Sequence, residues 1–400
     1  MPYRQHISER DFRRLVNIRR RIHRYPEPAF AEHRTAGVIM KELDRLKIPY
    51  RSGLGGTGIL ARIEGKRPGP TIALRADMDA MPIEEKTGLP FSSRRKGFMH
   101  ACGHDGHVAI MLGAAGLISS KPPEEGAVVL IFQPAEEGGG GAQRLVQKGV
   151  LKGVDMIFAG HIDRHYNVGQ IGIRTDVETS YTDELDIHIL GEGGHAAYPH
   201  ETVDAVVVAS LFVVALQTIV SRSVSPVNPT VVTIGALNAG DAYNAIAAEA
   251  RLKGTIRNTD FATRKRVIRN IHKTAEALAT LHEARIEVKV TEGYPPVIND
   301  PEGYRLSRGT ASELLGEDNV LLIPKPSLGG EDFAYYLREV PGCLVRIGGV
   351  GPETPHAAMH SSYYDFDEDA IRLGAVYFSL LAHNAIEYLK EKSLRGKKNA

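Results

Sequence analysis

Cysteine is nearly absent. Among 400 residues only Cys102 and Cys343 carry a thiol, too few for a disulfide framework. Net charge is missing as well: Lys and Arg number 49 against 48 Asp and Glu, and the single-sign block that stands out is the short tail Arg395-Gly-Lys-Lys. Nucleic acid is therefore not an expected partner. The opening residues Met1-Pro-Tyr-Arg-Gln-His-Ile-Ser-Glu-Arg hold no apolar signal region, and no stretch reads as approaching the ~18 uncharged apolar residues of a membrane span, so no membrane partner and a cytoplasmic location are expected. Neither an internal repeat nor a low-complexity linker is visible. What remains is a globular chain longer than one hydrophobic core supports, for which two domains are the expectation.

Against this background one segment is rich in metal-ligating chemistry. His100-Ala-Cys-Gly-His-Asp-Gly-His107 packs a soft thiol and three imidazoles into eight residues. Cys102 and His104 are two apart with Gly103 between them, so both side chains can converge on one point. The apolar run Val108 to Ile118 follows as a buried helix, whose N-cap is expected at His104 or Asp105. The Cys102 thiol would then lie at a helix N-terminus, which favours the thiolate.

The first half of the chain alternates helix and strand. Helical periodicity covers Ser8 to Arg24 and Glu32 to Leu46; Thr57 to Glu64, Thr71 to Asp77, Ala127 to Gln133 and Asp155 to Gly160 read as aliphatic strands, with a short helix near Ala142 to Lys148. Such strands separated by helices predict an α/β sheet covered on both faces. After about Arg174 the order becomes β-α-β-β-α-β, from Leu185 through the long apolar helix Val203 to Val220 and the charged helix Phe261 to Leu281 to the strand Ala284 to Val290. That is the ferredoxin-like order of an inserted domain. The α/β pattern resumes after Tyr294-Pro-Pro296, with a helix Glu302 to Leu315, strands at Val320 to Ile323 and Leu344 to Ile347, in which Cys343 is core, and a last helix from about Asp367 to Lys390. The boundaries read as 1–177 with 295–400 for the larger domain and 178–294 for the insertion.

Ligands of an α/β sheet gather at the carboxyl ends of its strands. There the chain places Glu136 and Glu137 in the loop Gln133-Pro-Ala-Glu-Glu-Gly-Gly-Gly-Gly141, His161 after Gly160 with His165 as a weaker competitor, and Asp77 and Asp79 in Arg75-Ala-Asp-Met-Asp-Ala-Met-Pro82. A metal-bound water needs a base beside it and the cation needs an anionic ligand, a division two adjacent glutamates can make. For Asp77 and Asp79, turn capping and orientation of a ligand histidine are both open. The loop Pro355-His-Ala-Ala-Met-His-Ser-Ser362 adds His356 and His360, between which spacing does not choose. Five Cys, His and Glu candidates spread over about 260 residues fit a two-metal site of Zn, Mn, Co or Ni character.

These segments resemble the aminoacylase and carboxypeptidase type of dinuclear metallopeptidases, in the amidohydrolase branch of hippurate and auxin-conjugate hydrolases. The resemblance spans nearly the whole chain. It runs through Leu74-Arg-Ala-Asp-Met-Asp-Ala, His100-Ala-Cys-Gly-His-Asp-Gly-His, Phe132-Gln-Pro-Ala-Glu-Glu-Gly, Gly194-His-Ala-Ala-Tyr-Pro-His, Gly254-Thr-Ile-Arg, Glu331-Asp-Phe and Met359-His-Ser. It implies a mixed-sheet, zinc-exopeptidase-like catalytic domain with an inserted ferredoxin-like dimerisation (lid) domain. It implies two divalent metal ions held by Cys102, His104, Glu137, His161 and His360, with Glu136 as general base and with His100 and His107 in support. It further implies that His195 reaches a partner copy's active site to polarise the scissile carbonyl, that Asn244 and Arg257 contact the substrate carboxylate, and that the protein is a homodimer or higher homo-oligomer. Ile162-Asp-Arg-His-Tyr-Asn167, Thr179-Ser-Tyr-Thr-Asp183 and Ser327-Leu-Gly-Gly330 depart from the usual pattern around the substrate pocket.

The expected activity is metal-dependent hydrolysis of the amide bond of N-acyl-L-amino acids or small peptide-like amides. A metallo-carboxypeptidase or an N-acetyl-diaminopimelate deacetylase is the alternative. A thiol hydrolase with Cys102 as nucleophile and a non-catalytic binding protein on the same fold are the other classes the residues leave to be tested.

Overall fold

The computed structural model describes residues 2–354 and 357–398; His356 lies outside the described residues, as do the side chains of the tail from 396 onward. The chain divides into two compact units: Met1–Glu178 with Val297–Lys325 and Asp332–Ala400, and Thr179–Pro296 with Pro326–Glu331.

The larger unit is mixed α/β, built on an eight-stranded sheet whose order is Tyr50–Leu54, Gly58–Glu64, Glu125–Gln133, Arg67–Asp77, Met156–Asn167, Gly342–Val350, Ile171–Ile173 and Val320–Leu322. Its central strands run parallel: Arg67–Asp77 pairs in parallel with Glu125–Gln133 and Met156–Asn167, and the latter with Gly342–Val350. Because successive side chains of a strand point to opposite faces, the aliphatic runs supply two cores at once. Ile72, Leu74, Val128, Leu130, Phe132, Met156, Phe158, Cys343 and Val345 pack on one side with the helices Glu9–Arg24, His33–Leu46, His104–Ser120 and Asp369–Lys398. Ala73, Val129, Ile131, Ile157, Ala159 and Leu344 pack on the other, with Ala142 and Leu145 of the helix Gly141–Gln147 and Ala334 of Ala334–Leu337.

Helix ends follow local chemistry. Ser8 caps Glu9–Arg24 by accepting from the Asp11 amide at 3.1 Å, and Asp300 caps Pro301–Leu315 through the amides of Glu302 and Gly303. The helix after the cysteine–histidine cluster differs from expectation. It begins at His104 behind Gly103, which holds φ +91°, so neither His104 nor Asp105 is its cap. Those two side chains are free for other work because glycine alone makes the left-handed entry turn at no steric cost.

The smaller unit carries an antiparallel sheet in the order Thr230–Ala239, Glu249–Asn258, Tyr181–Leu190, Arg285–Thr291, with helices Ala205–Ser223 and Phe261–His282. Leu185, Ile187, Ile189, Phe212, Leu216, Leu252 and Val267 form its core. Helix Ala205–Ser223 overturns one expectation, since its length and composition would let it cross a membrane, and 33% of that window is buried. The reason is that apolar residues fill two faces of it: Ala205, Val208, Ala209, Phe212, Leu216 and Ile219 are buried, whereas Val206, Val207, Leu211 and Val214 stay exposed.

Candidate metal centre

Four segments far apart in sequence meet at one end of the large sheet. Arg67–Asp77 ends on Asp77, Glu125–Gln133 ends just before Glu136 and Glu137, and the helix at His104 starts behind Cys102. His161 differs from the reading that put it past a strand end, because its strand runs on from Met156 to Asn167 and His161 lies within it, opposite Arg346 of the neighbouring strand. The ligand-type atoms of Cys102, His104 and His161 lie within 4.8 Å of one another, as do those of Cys102, Glu137 and His360, and those of His104, Glu136 and Glu137. These three overlapping groups hold every residue named above as ligand or base.

Hydrogen bonds fix which ring nitrogen faces inward. His104 Nδ1 is 3.0 Å from the Asp79 carbonyl oxygen and 3.3 Å from Asp79 Oδ1, both acceptors, so it carries the hydrogen. Its Nε2 is buried and has no hydrogen-bond partner among the described residues, and Glu137 Oε1, also buried, lies 4.0 Å from it and faces the His360 ring at 3.3 Å. A buried ring nitrogen without a partner is costly, and a cation between it and the Glu137 carboxylate relieves that cost. His161 Nδ1 meets the Ile162 carbonyl at 2.8 Å, which turns Nε2 toward Cys102 Sγ at 3.3 Å. His107 is different: its Nε2 accepts from the Ile162 amide at 2.9 Å and its Nδ1 bonds Asp77 Oδ1 at 2.6 Å. Both of its nitrogens are used within the protein, so it supports the site without an open donor atom. His100 is 1% exposed with neither nitrogen hydrogen-bonded among the described residues, and burial holds its pKa down at about 4.

Electrostatics follow from burial against nearby charge. Burial disfavours the charged ring of His104, yet the Asp77 and Asp79 carboxylates drive its pKa well above the usual imidazole range. The same acceptors favour a metal cation in place of the proton. Burial, with the His107 ring and Arg346, pushes His161 the other way and keeps it neutral. His360, half exposed and at φ +63°, is pushed up to about 10 by Cys102 and Glu137, whose Oε1 is 3.3 Å from its Nε2. The Cys102 thiol is raised, chiefly by burial and by the Glu137 carboxylate, with His104 and His360 opposing. This corrects the expected helix-terminus activation: burial and the Glu137 carboxylate prevail at this position.

The supporting groups are mostly charged and buried. Asp79 accepts from the Glu136 amide at 3.0 Å and the Glu137 amide at 2.9 Å while facing His104, so one carboxylate ties three segments together. Arg75 was not singled out in the sequence. It reaches Asp77 Oδ2 at 2.7 Å, Gln133 Oε1 at 2.7 Å and Asp332 Oδ1 at 2.8 Å, and Gln133 Nε2 also bonds Asp332. The available signal was an arginine inside an otherwise aliphatic strand, which is tolerated only when paired. Beneath the first turn of the 104–120 helix, Arg19 at 1% exposure bonds Asp105 at 2.7 Å and Asp365 at 2.6 Å. His23 lies between Asp105 and Glu85 at 2.9 and 3.3 Å.

His195, Asn244 and Arg257 belong to the other unit. His195 is exposed and pairs across Gly194–His195 with Ala245, beside Asn244, whose carbonyl accepts from the Ala196 amide. Its Nδ1 accepts from the Ala197 amide at 3.0 Å, which leaves Nε2 as a donor. Arg257 lies in the four-stranded sheet opposite Thr182 and bonds the Ile256 carbonyl at 3.2 Å.

Residues 73–384 match the model of peptidase family M20/M25/M40. The N-acetyl-L-cysteine deacetylase of Bacillus subtilis is 40% identical over 367 residues, 92% of this chain and 86% of that protein. Thermostable carboxypeptidase 1 of Saccharolobus solfataricus is 37% identical over 377 residues, 92% and 94% of the two chains. The crystal structure of the Bacillus subtilis YXEP protein, a dinuclear metal binding peptidase from the M20 family, superposes with a TM-score of 0.82 at 33% identity, over 95% of this chain and 99% of that one. With its converging sulfur, imidazole and carboxylate donors, the chain belongs to peptidase family M20/M25/M40 and is a metal-dependent hydrolase of amide bonds.

Proposed function

We propose that the protein deacylates N-acyl-L-amino acids, with two divalent cations held by Cys102, His104, Glu137, His161 and His360 and with Glu136 as general base. The observation that carries this reading is the buried, unpartnered His104 Nε2 facing Glu137 Oε1, each converging with Cys102 on further donors. Zn, Mn, Co or Ni in this place supplies Lewis acidity and a water of lowered pKa. Glu136 takes the proton of the attacking water and returns it to the leaving nitrogen. The exposed His195, with Nε2 left to donate, suits stabilisation of the developing oxyanion in a partner copy; Asn244 and Arg257 are the proposed contacts to the substrate carboxylate. The thiol alternative is disfavoured because Cys102 is buried with a raised pKa. A carboxypeptidase activity on short peptides is the second reading, supported by the likeness to the Saccharolobus enzyme.

The smaller unit is proposed as a ferredoxin-like lid that dimerises through the exposed face of helix Ala205–Ser223, where Val206, Val207, Leu211 and Val214 are 42–66% exposed. Two free, buried thiols support a reducing, cytoplasmic setting. The deciding experiment is Glu136→Gln, assayed on acetyl, benzoyl, succinyl and indoleacetyl amino acids alongside metal analysis. The reading expects kcat to fall by about 10²- to 10⁴-fold with two metals retained. Wild-type kcat in that variant removes Glu136 as the base.

A further inference from the structure

Glu32 is fully buried, lies outside the segment that matches the family model, and has no role in the chemistry described so far. Its Oε1 accepts two backbone amides at once, from Phe30 at 3.0 Å and from Ala135 at 2.9 Å, while the Thr57 hydroxyl donates to Oε2. Both amides belong to residues in the left-handed region, Phe30 at φ +62° and Ala135 at φ +55°. That conformation is unfavourable for any residue with a Cβ and persists only where the surroundings enforce it.

Ala135 immediately precedes Glu136. Its carbonyl is held in turn by the Gly141 amide at 3.0 Å, so the residue is clamped at both ends. Gly139 is pressed against the same pair, since a Cβ there would lie 2.5 Å from the Ala135 Cβ and 3.1 Å from the Phe30 ring. From Ala135 the chain passes to Glu136 and Glu137, whose amides hang from Asp79. Two buried carboxylates thus set the path of three successive residues, and the one at Ala135 does so against the residue's own preference.

We propose that Glu32, anchored by Thr57, is a positioning residue that enforces the left-handed turn at Ala135 and thereby aims the Glu136 carboxylate. The inference rests on the reading of Glu136 as general base. Its physical content is an exchange: the clamp supplies what glycine would supply for free. Without Glu32, Ala135 relaxes toward ordinary backbone geometry and Glu136 leaves its place; with glycine at 135, the turn no longer needs the clamp.

The test is a rescue experiment on the metal-loaded protein. Glu32→Ala is expected to lower kcat about tenfold or more, the equilibrium weight of one left-handed non-glycine residue, with KM within about twofold because the loss falls on the transition state. Adding Ala135→Gly to Glu32→Ala is expected to restore most of that kcat. If Glu32→Ala does not fold, Thr57→Val loosens the same carboxylate and requires the same rescue. Metal affinity, read by chelator competition, is expected to fall and recover in parallel, because Glu137 rides on the same turn. This readout separates the two ideas: if Glu136→Gln keeps full activity the base assignment fails, while the rescue of metal affinity still reports on the clamp. The proposal is overturned if Glu32→Ala retains wild-type kcat and metal affinity, or if the double variant is no better than Glu32→Ala on both measures.

Discussion

Replacing Asp79 by asparagine changes one oxygen for an amide nitrogen at constant size, and the consequence can be worked from its contacts. Oδ1 accepts from the Glu136 amide at 3.0 Å and faces His104 Nδ1 at 3.3 Å; Oδ2 accepts from the Glu137 amide at 2.9 Å. Asparagine offers one acceptor oxygen. If it replaces Oδ1, its NH2 points at the Glu137 amide; if it replaces Oδ2, its NH2 points at the Glu136 amide and His104. Either way a buried N–H faces another donor, at a cost of about 1–3 kcal/mol, with no change in packing to confuse the result. The carboxylate hydrogen bond by which Asp79, beside the charge of Asp77, helps raise His104 is disturbed too, and loss of such a partner to a ligand histidine weakens metal binding by about 10- to 100-fold. Urea denaturation of the metal-free protein reads the first quantity, and competition with a chelator the second. Equal denaturation midpoints and equal metal affinity in Asp79→Asn and the parent protein would refute the assignment of Asp79 as the tie between His104 and the two glutamates.

Other perturbations address the surrounding structure. Against burial, His23 and Thr87 hold Glu85 down at about 2, below its ordinary 4.5. A depressed carboxyl contributes stability that is complete above about pH 4.5 and is lost as pH falls toward 2, here about 3 kcal/mol; Glu85→Gln should flatten the denaturation midpoint across that window, and an unchanged acid limb counts against the His23–Glu85 pair. Arg75→Met leaves Asp77 and Asp332 buried without their shared cation, so a loss of about 3–5 kcal/mol is expected in denaturant unfolding, and an unchanged midpoint contradicts the network's role. Paired substitutions Leu211→Asp and Val214→Asp on the exposed face of helix Ala205–Ser223 should convert a dimer to a monomer by sedimentation, whereas a parent protein that already sediments as a monomer removes that interface.

The order of helices and strands was legible because burial on both faces imprints itself on the chain. Val128 to Phe132 is apolar at every position since alternate side chains enter opposite cores. Short or edge strands such as Tyr50–Leu54 and Ile171–Ile173 were not: the first is mostly exposed and the second is three residues long, so neither leaves a period to read. Helix Ala205–Ser223 was read as a long apolar helix, and that composition does not say which of its two apolar faces is covered.

For the candidate site, the sequence by itself determined the inventory: a thiol, imidazoles and adjacent carboxylates at strand ends and in loops, because such side chains in such numbers have little structural use. The tertiary structure alone decided how each atom is employed. Sheet order brings Asp77, Glu136, Glu137 and His161 to one end of the sheet across separations no local pattern encodes. It turns His104 Nε2 inward while occupying both nitrogens of His107, three residues away on the same helix. Burial, a property of the whole fold, reverses the expected shift at Cys102. Arg75 and Glu32 escaped notice because their importance lies in what they clasp, and hydrogen-bond partners 58, 103 and 257 positions distant exist only once the chain has folded.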